Sequence, residues 1–292
     1  MSVEAVLETV AATAPDVRAA LPGRRRKTDE ENPSGETQLA ADVYADGLFE
    51  ERLLALDSVA SYASEEREAV VHADGGGGTY HLAVDPLDGS SNLRSNNPMG
   101  TIVGVYDAPL PTSGRNLVAA AYVLYGPITT MVAAVDGEVT EYVVEGGADA
   151  SDAASGAGAR RAVREDVTLP DDPVVYGFGG RVPDWPDEFA AYVEAVEQEL
   201  KLRYGGAMVA DVSQVVTYGG IFAYPGLEDR PEGKLRLLFE GTPIGYIVES
   251  AGGASSDGEQ SLLDVEATAL HQRVPVHVGN EEYVERLEAA LA

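Results

Sequence analysis

Residues 83–92 read Ala-Val-Asp-Pro-Leu-Asp-Gly-Ser-Ser-Asn, an apolar run that breaks at a proline between two aspartates. The apolar residues from His81 to Val84 predict a strand that delivers Asp85. Pro86 has no N–H, which predicts the end of that strand's hydrogen-bond ladder. Asp88 follows three residues later on a turn, so both carboxylates are expected to converge at the strand's carboxyl end, where they suit a hard cation. Gly89, Ser90, Ser91 and Asn92 then predict the opening of a helix whose free N–H groups and positive dipole end can receive a phosphate. Asp-Pro and Asp-Gly are also ordinary turn pairs, so it is the ten-residue string behind a strand that carries the reading.

Two further acidic features lie upstream. Glu65 and Glu66 follow a short predicted strand, Val59 to Ala63, and adjacent like charges of this kind also occur on solvated turns. Asp42 falls on a helical pattern over 37–56, in which Leu39, Val43, Phe49, Leu53 and Leu56 share a stripe. An earlier helix is expected from Val3 to about Pro15, followed by a mobile surface loop over 23–35, which has no apolar face.

Between residues 59 and 144 the pattern is β-rich. Strands are expected at His81–Val84, Thr101–Tyr106, Leu117–Leu124, Thr129–Val135 and Val139–Val144. Residues 146–158, small and polar, read as a tip loop or interdomain connection. Beyond them strands at 174–178 and 220–224 alternate with helices at 187–201, 209–217, 235–251 and from about Asn280. This organisation predicts an N-terminal α+β unit over 1–158 and a C-terminal α/β unit over 159–292.

Composition narrows the chemistry. Cysteine is absent, which excludes disulfides, thiolate metal sites and cysteine nucleophiles. The four histidines, His72, His81, His271 and His277, lack the spacing of a metal helix, so oxygen ligands remain. With 49 acidic against 20 basic residues the net charge is −29, and the only lysines are Lys27, Lys201 and Lys234. Such a chain does not bind nucleic acid. It has no run of about 18 apolar residues and its N-terminus lacks the features of a signal peptide, so no membrane partner and a cytoplasmic location are expected. Acid excess combined with lysine depletion reads as adaptation to a salty cytoplasm.

The string DPLDGSSN resembles the signature of the Mg²⁺-dependent, Li⁺-sensitive phosphatases. Its serines are similar to those of fructose-1,6-bisphosphatase, whereas inositol monophosphatase usually has threonine there. The same family carries an SEE motif like Ser64-Glu65-Glu66 and a G-[DE]-x5-D segment like Gly35 to Asp42. Arg203 to Val212 (RYGGAMVADV), Tyr218 to Pro225 (YGGIFAYP), Lys234 to Glu240 (KLRLLFE) and His271-Gln272-Arg273 resemble its further motifs in the same order. The matches run from about residue 35 to 280. The resemblance implies a layered αβαβα sugar-phosphatase fold with two mixed sheets. It also implies hydrolysis of the 1-phosphate of fructose 1,6-bisphosphate, a step of gluconeogenesis.

Carried over residue by residue, Glu65, Asp85, the Leu87 carbonyl, Asp88 and Glu240 would hold two or three Mg²⁺, with Mn²⁺ as a substitute. Glu66 and Asp42 would activate water, with Asp42 on a loop that closes over the site. Gly89, Ser90, Ser91 and Asn92 would take the reacting phosphate. Tyr204, Met208, Tyr224, Lys234 and Arg236 would hold the sugar and its phosphates. Arg203 would reach a neighbouring subunit's site, implying a homo-oligomer, dimer or tetramer. With Glu36, up to seven carboxylates would gather, so the metal-free site is expected to be loose.

Some positions depart from the family. Gly179 to Val182 replaces an Asn-Glu-Gly-Tyr segment that binds the 6-phosphate, so Arg181 either clamps that phosphate or is a solvated loop charge. Arg94 stands where the family has an acid. Thr79-Tyr80 replaces a Lys-Tyr pair and the nucleotide-effector segment is missing, so little inhibition by AMP is expected. An inositol-monophosphatase-like or broader sugar phosphatase, acting for example on sedoheptulose bisphosphate, and a non-catalytic binder of metal or sugar phosphate remain as alternatives. The charge reading predicts that the thermal midpoint rises with KCl; full stability in dilute buffer would exclude the salt adaptation.

Overall fold

The computed structural model describes residues 2–33, 35, 37–75, 77–145 and 159–292. Glu36 and the expected loop at 146–158 lie outside these residues.

The β-rich half forms one eight-stranded sheet. Its order is Arg160–Arg164, Glu138–Val144, Thr129–Val135, Leu117–Tyr125, Met99–Tyr106, Tyr80–Asp88, Val59–Ser64, Val71–His72. All of these neighbours are antiparallel except Tyr80–Asp88 and Val59–Ser64, which run parallel and so end side by side. Successive side chains of a strand point to opposite faces. Leu82, Val84, Val103 and Val105 accordingly join Val6, Leu7, Val10, Phe49 and Leu53 of the helices Val3–Ala20 and Ala40–Leu54. Ala83, Ile102 and Tyr122 join the other core, with Val209 and Val212 of helix Met208–Tyr218 and Ile244 and Ile247 of helix Thr242–Ser250. Covering on both faces explains strands such as Met99–Tyr106, in which every residue is buried.

A second, five-stranded mixed sheet follows in the order Lys201–Leu202, Val175–Phe178, Gly220–Tyr224, Val276–Gly279, Ala254–Ser256. Phe222, Val276 and Val278 face the central helices. Ile221 and Ala223 face helices Asp187–Val196 and Glu281–Leu291. The result is the expected αβαβα stack of two mixed sheets between helical layers. The middle core draws on both halves of the chain, from Ile102 and Val132 to Val248 and Val278.

Four local expectations are corrected. The first helix continues through Pro15 to Ala20. An interior proline costs roughly 3 kcal/mol, but Val17 extends the buried face beyond it. Arg18 anchors the last turn through Gly126 O (2.8 Å) and Thr129 Oγ1 (2.5 Å). The expected loop over 23–35 contains Lys27–Glu31, paired antiparallel with Thr37–Leu39, so helix Ala40–Leu54 starts after that strand. The expected helix over 187–201 stops at Val196, and Lys201–Leu202 forms an edge strand. The segment expected as one helix over 235–251 is a strand, Leu235–Arg236, then a π turn, Leu237–Gly241, then helix Thr242–Ser250. Leu235–Arg236 is drawn into β pairing with Arg273–Val274, which interrupts helical hydrogen bonding.

Candidate active site

Regular strand alternation would put Asp85 and Asp88, three residues apart, on opposite faces. The strand runs on to Asp88 rather than ending at Pro86, and its register with Met99–Tyr106 shifts between Asp85, opposite Ile102, and Asp88, opposite Gly100. That irregularity absorbs the missing Pro86 N–H and re-aims the chain. Thr101 Oγ1 donates to Pro86 O (2.9 Å), and Asp85 Oδ1 accepts from Leu87 N (2.9 Å), which fix the bend. The two carboxylates thereby share one side.

The parallel neighbour delivers Glu65, whose N–H donates to Val84 O (3.0 Å) as strand Val59–Ser64 ends. Glu240 comes from the π turn, a geometry that recurs at functional sites. Its Oε2 accepts from Arg236 N (2.6 Å). The Arg236 side chain is 3% exposed, and its Nη1 lies 2.8 Å from Glu65 Oε1 and 4.0 Å from Glu240 Oε2. Asp88 Oδ2 accepts from Val209 N (2.8 Å) in the first turn of helix Met208–Tyr218. The segment 271–273 backs both acidic turns: His271 Nε2 bonds Arg67 O (2.7 Å), and Gln272 O accepts from Leu237 N (2.8 Å).

Asp85, Asp88 and Glu240 are buried and can each offer an oxygen, with these atoms within 4.8 Å of one another. Burial raises all three pKa values. Asp85 is pushed well above 3.8 by burial and then by Glu65, Asp88 and Glu240. Asp88 is raised to about 7 by burial, against the Val209 N–H that favours its charged form. Glu240 reaches about 8 through burial and Glu65, with Arg236 opposing. A compact donor set of oxygens that resist ionising until a cation arrives fits a hard divalent ion.

One cavity contains these groups together with Asp42, Glu66, Leu87, Gly89, Ser90, Ser91, Tyr204, Met208, Tyr224, Lys234 and Arg236. Buried Asp42 caps its own helix by accepting from Leu39 N (2.6 Å). Glu66 is raised to about 8 by burial, Glu65 and Asp42, and accepts from Gln38 Nε2. Gly89 has φ +71°, and a Cβ there would lie 2.2 Å from Ala207 Cβ, so glycine is required twice over. The expected helix after it is a single 3₁₀ segment, Ser90–Arg94. Lys234 Nζ lies 5.9 Å from the centre of the Tyr224 ring.

Three expected site residues stand apart from this cavity. Asn92 is buried, and its Nδ2 donates to Pro98 O (2.9 Å) and Gly205 O (2.8 Å), tying the Gly89–Asn92 turn to the 203–208 segment. Arg181 is 82% exposed and pairs with Asp184 (2.7 Å), as a solvated loop charge would. Arg203 is exposed. Gln38 and Asp211, which sequence reading did not assign, line the cavity. Asp211 accepts from Gly205 N (2.6 Å) and Gly206 N (3.2 Å), a role foreshadowed only by its place in the quoted motif.

Buried carboxylates gathered at one point, beside a glycine-serine turn and a lysine-tyrosine pair, define the site of a metal-dependent phosphomonoesterase. Residues 4–148 match the family model described as Fructose-1-6-bisphosphatase, N-terminal domain, and residues 169–292 match its C-terminal domain. Fructose-1,6-bisphosphatase class 1 of Natronomonas pharaonis is 64% identical over 290 residues, covering 99% of each chain. That of Halobacterium salinarum is 55% identical over 289 residues, covering 99% of this chain and 97% of that protein. The crystal structure of Leishmania major fructose-1,6-bisphosphatase in holo form superposes with a TM-score of 0.88 at 29% identity, over 98% of this chain and 93% of that one. The chain therefore belongs to the class 1 fructose-1,6-bisphosphatases.

Because their folded-state pKa values lie above 3.8 and 4.5, these carboxylates favour the metal-free fold at low pH and lose that contribution as pH rises to about 8. Mg²⁺ added to metal-free protein at pH 7 should release about one proton or more per chain, read with an indicator dye in weak buffer. Binding without proton release would show that the carboxylates are already ionised.

Proposed function

We propose that this cavity removes the 1-phosphate of fructose 1,6-bisphosphate, giving fructose 6-phosphate and phosphate. The observation that carries the reading is the polarity of the cavity, which combines clustered acids with Tyr204, Tyr224 and Lys234. Two ester groups of one substrate could thus be recognised by different chemistry. Glu65, Asp85, Asp88, Glu240 and the Leu87 carbonyl would hold two or three Mg²⁺, with Mn²⁺ as a substitute. Bound divalent ions would supply charge neutralisation at the phosphoryl group, a more acidic water and stabilisation of the leaving alkoxide.

The chain's own groups do the positioning. Amides of the Gly89–Ser91 turn face the reacting phosphoryl oxygens, and Arg236 offsets charge beside them. Glu66, whose carboxylate is held by Gln38, accepts the proton of the attacking water, with Asp42 orienting that water. Lys234 supplies a point charge to the distal phosphate, Tyr204 and Tyr224 donate hydroxyls, and Met208 lies against the sugar. Attack by water needs no covalent phosphoenzyme, in keeping with a chain that has no cysteine.

The same reading includes a cytoplasmic homo-oligomer, dimer or tetramer, in which exposed Arg203 reaches a neighbour's site. It also divides the chain near residue 158 into a metal-binding and a sugar-phosphate-binding unit. No helix of the described residues is long and apolar enough to cross a membrane.

Phosphate release in high KCl should be fastest with fructose 1,6-bisphosphate; faster turnover of inositol 1-phosphate would reject the reading. Glu66→Gln should lower kcat by about 10²–10⁴ while Mg²⁺ activation persists. Arg181→Ala should leave KM for the bisphosphate within about twofold, since a solvated ion pair contributes little. A large rise in KM would restore Arg181 to the phosphate site.

A further inference from the structure

We propose that a second cleft, behind the metal loop, binds a small organic anion with an apolar body. The cleft, of about 560 Å³, lies where the end of the first helix meets the segment leading from the phosphate turn to strand Met99–Tyr106. Arg18 and Arg25 line it with Asn97, and Leu93, Met99 and Tyr125 supply apolar surface.

Charge is the first argument. Acids make up 49 of the 292 residues, yet among the described residues no carboxylate lines this cleft. Several arginines elsewhere, among them Arg52, Arg67, Arg115 and Arg286, meet carboxylates; within the described residues, Arg24, Arg94, Arg203 and Arg230 are not among them. Arg18 and Arg25 meet none among the described residues. They bond to neutral acceptors instead, Arg18 to Gly126 O and Thr129 Oγ1, and Arg25 to Arg94 O (2.6 Å). Two guanidiniums fixed by neutral groups keep their charge for a ligand, and both line the same cleft. The apolar walls add a preference for an anion carrying a ring or short hydrocarbon over a bare inorganic ion.

The walls are also the back of the catalytic loop. The Tyr125 hydroxyl bonds Thr101 Oγ1 (2.9 Å), which donates to Pro86 O between the two aspartates. Pro98, another wall residue, accepts from Asn92 of the phosphate turn. An occupant would therefore touch groups one or two hydrogen bonds from Pro86 and Asn92 of the segment that carries Asp85 and Asp88.

The test is calorimetric titration of the Mg²⁺-loaded protein, in KCl sufficient for full stability, with 2-naphthalenesulfonate as probe. One site is expected. Affinity should fall about tenfold or more in Arg25→Glu, and in Asn97→Asp, which adds a carboxylate to the lining with little structural demand. Affinity should stay within about twofold in Lys234→Ala, which alters the catalytic cavity alone. Loss in Lys234→Ala with retention in Arg25→Glu would place the probe in the catalytic cavity and overturn the proposal. Absence of binding would overturn it too, and dissociation of the assembly by Arg25→Glu would then assign this face to a second copy of the chain.

Discussion

Like charges forced together out of water are the constraint on which this molecule turns. Asp85, Asp88, Glu65 and Glu240 come from three separate parts of the chain and are buried around one point, and Arg236 meets Glu65 and Glu240 there. Each carboxylate is held by a backbone donor or a guanidinium, so the fold itself orients the cluster. Orientation without neutralisation leaves the group electrostatically incomplete. A divalent ion supplies the missing charge, which makes affinity for metal the counterpart of the repulsion the fold imposes.

The surrounding architecture can be understood as the means of imposing it. A parallel strand pair brings Glu65 beside Asp85, a register shift at Pro86 turns Asp88 to the same side, and a π turn raises Glu240. Helix Met208–Tyr218 packs on the middle core and aims its first N–H groups at Asp88. Asn92 and Asp211 both grip the Gly205–Gly206 turn, one through a carbonyl and the other through two amides, so the segment carrying Tyr204 and Met208 is tied to the Gly89–Asn92 turn. Stability and catalysis draw on the same hydrogen bonds.

Legibility in the sequence followed the range of the interaction. The convergence of Asp85 and Asp88 was readable because it rests on a local strand, a proline and a turn. The layered fold was readable from apolar periodicity together with motif resemblance. Glu240 was reachable only through resemblance, since the apolar run Leu235 to Phe239 has helical periodicity and its β pairing partner lies far along the chain at Arg273–Val274. Pro15 misled because tertiary burial of Val17 outweighs a local helix break. The roles of Asn92 and Asp211 were hidden for a related reason: each acts on backbone atoms of the 205–206 turn, and no side-chain pattern announces a carbonyl or an amide as the target.

The charge economy of the exterior repeats the logic of the interior. External cations screen an acidic surface with few lysines, just as a bound cation would neutralise the buried cluster. The two demands differ in range. Screening by monovalent salt acts over roughly 8–10 Å at moderate ionic strength and weakens exposed contacts first, such as Arg115–Asp264 with both side chains about half exposed. The buried Arg236–Glu65 contact is shielded by protein instead of solvent, so salt reaches it far less. High salt can therefore quiet the repulsion of the surface without loosening the geometry of the buried carboxylates, which lets one chain carry both a strongly acidic exterior and a tightly gathered acidic core.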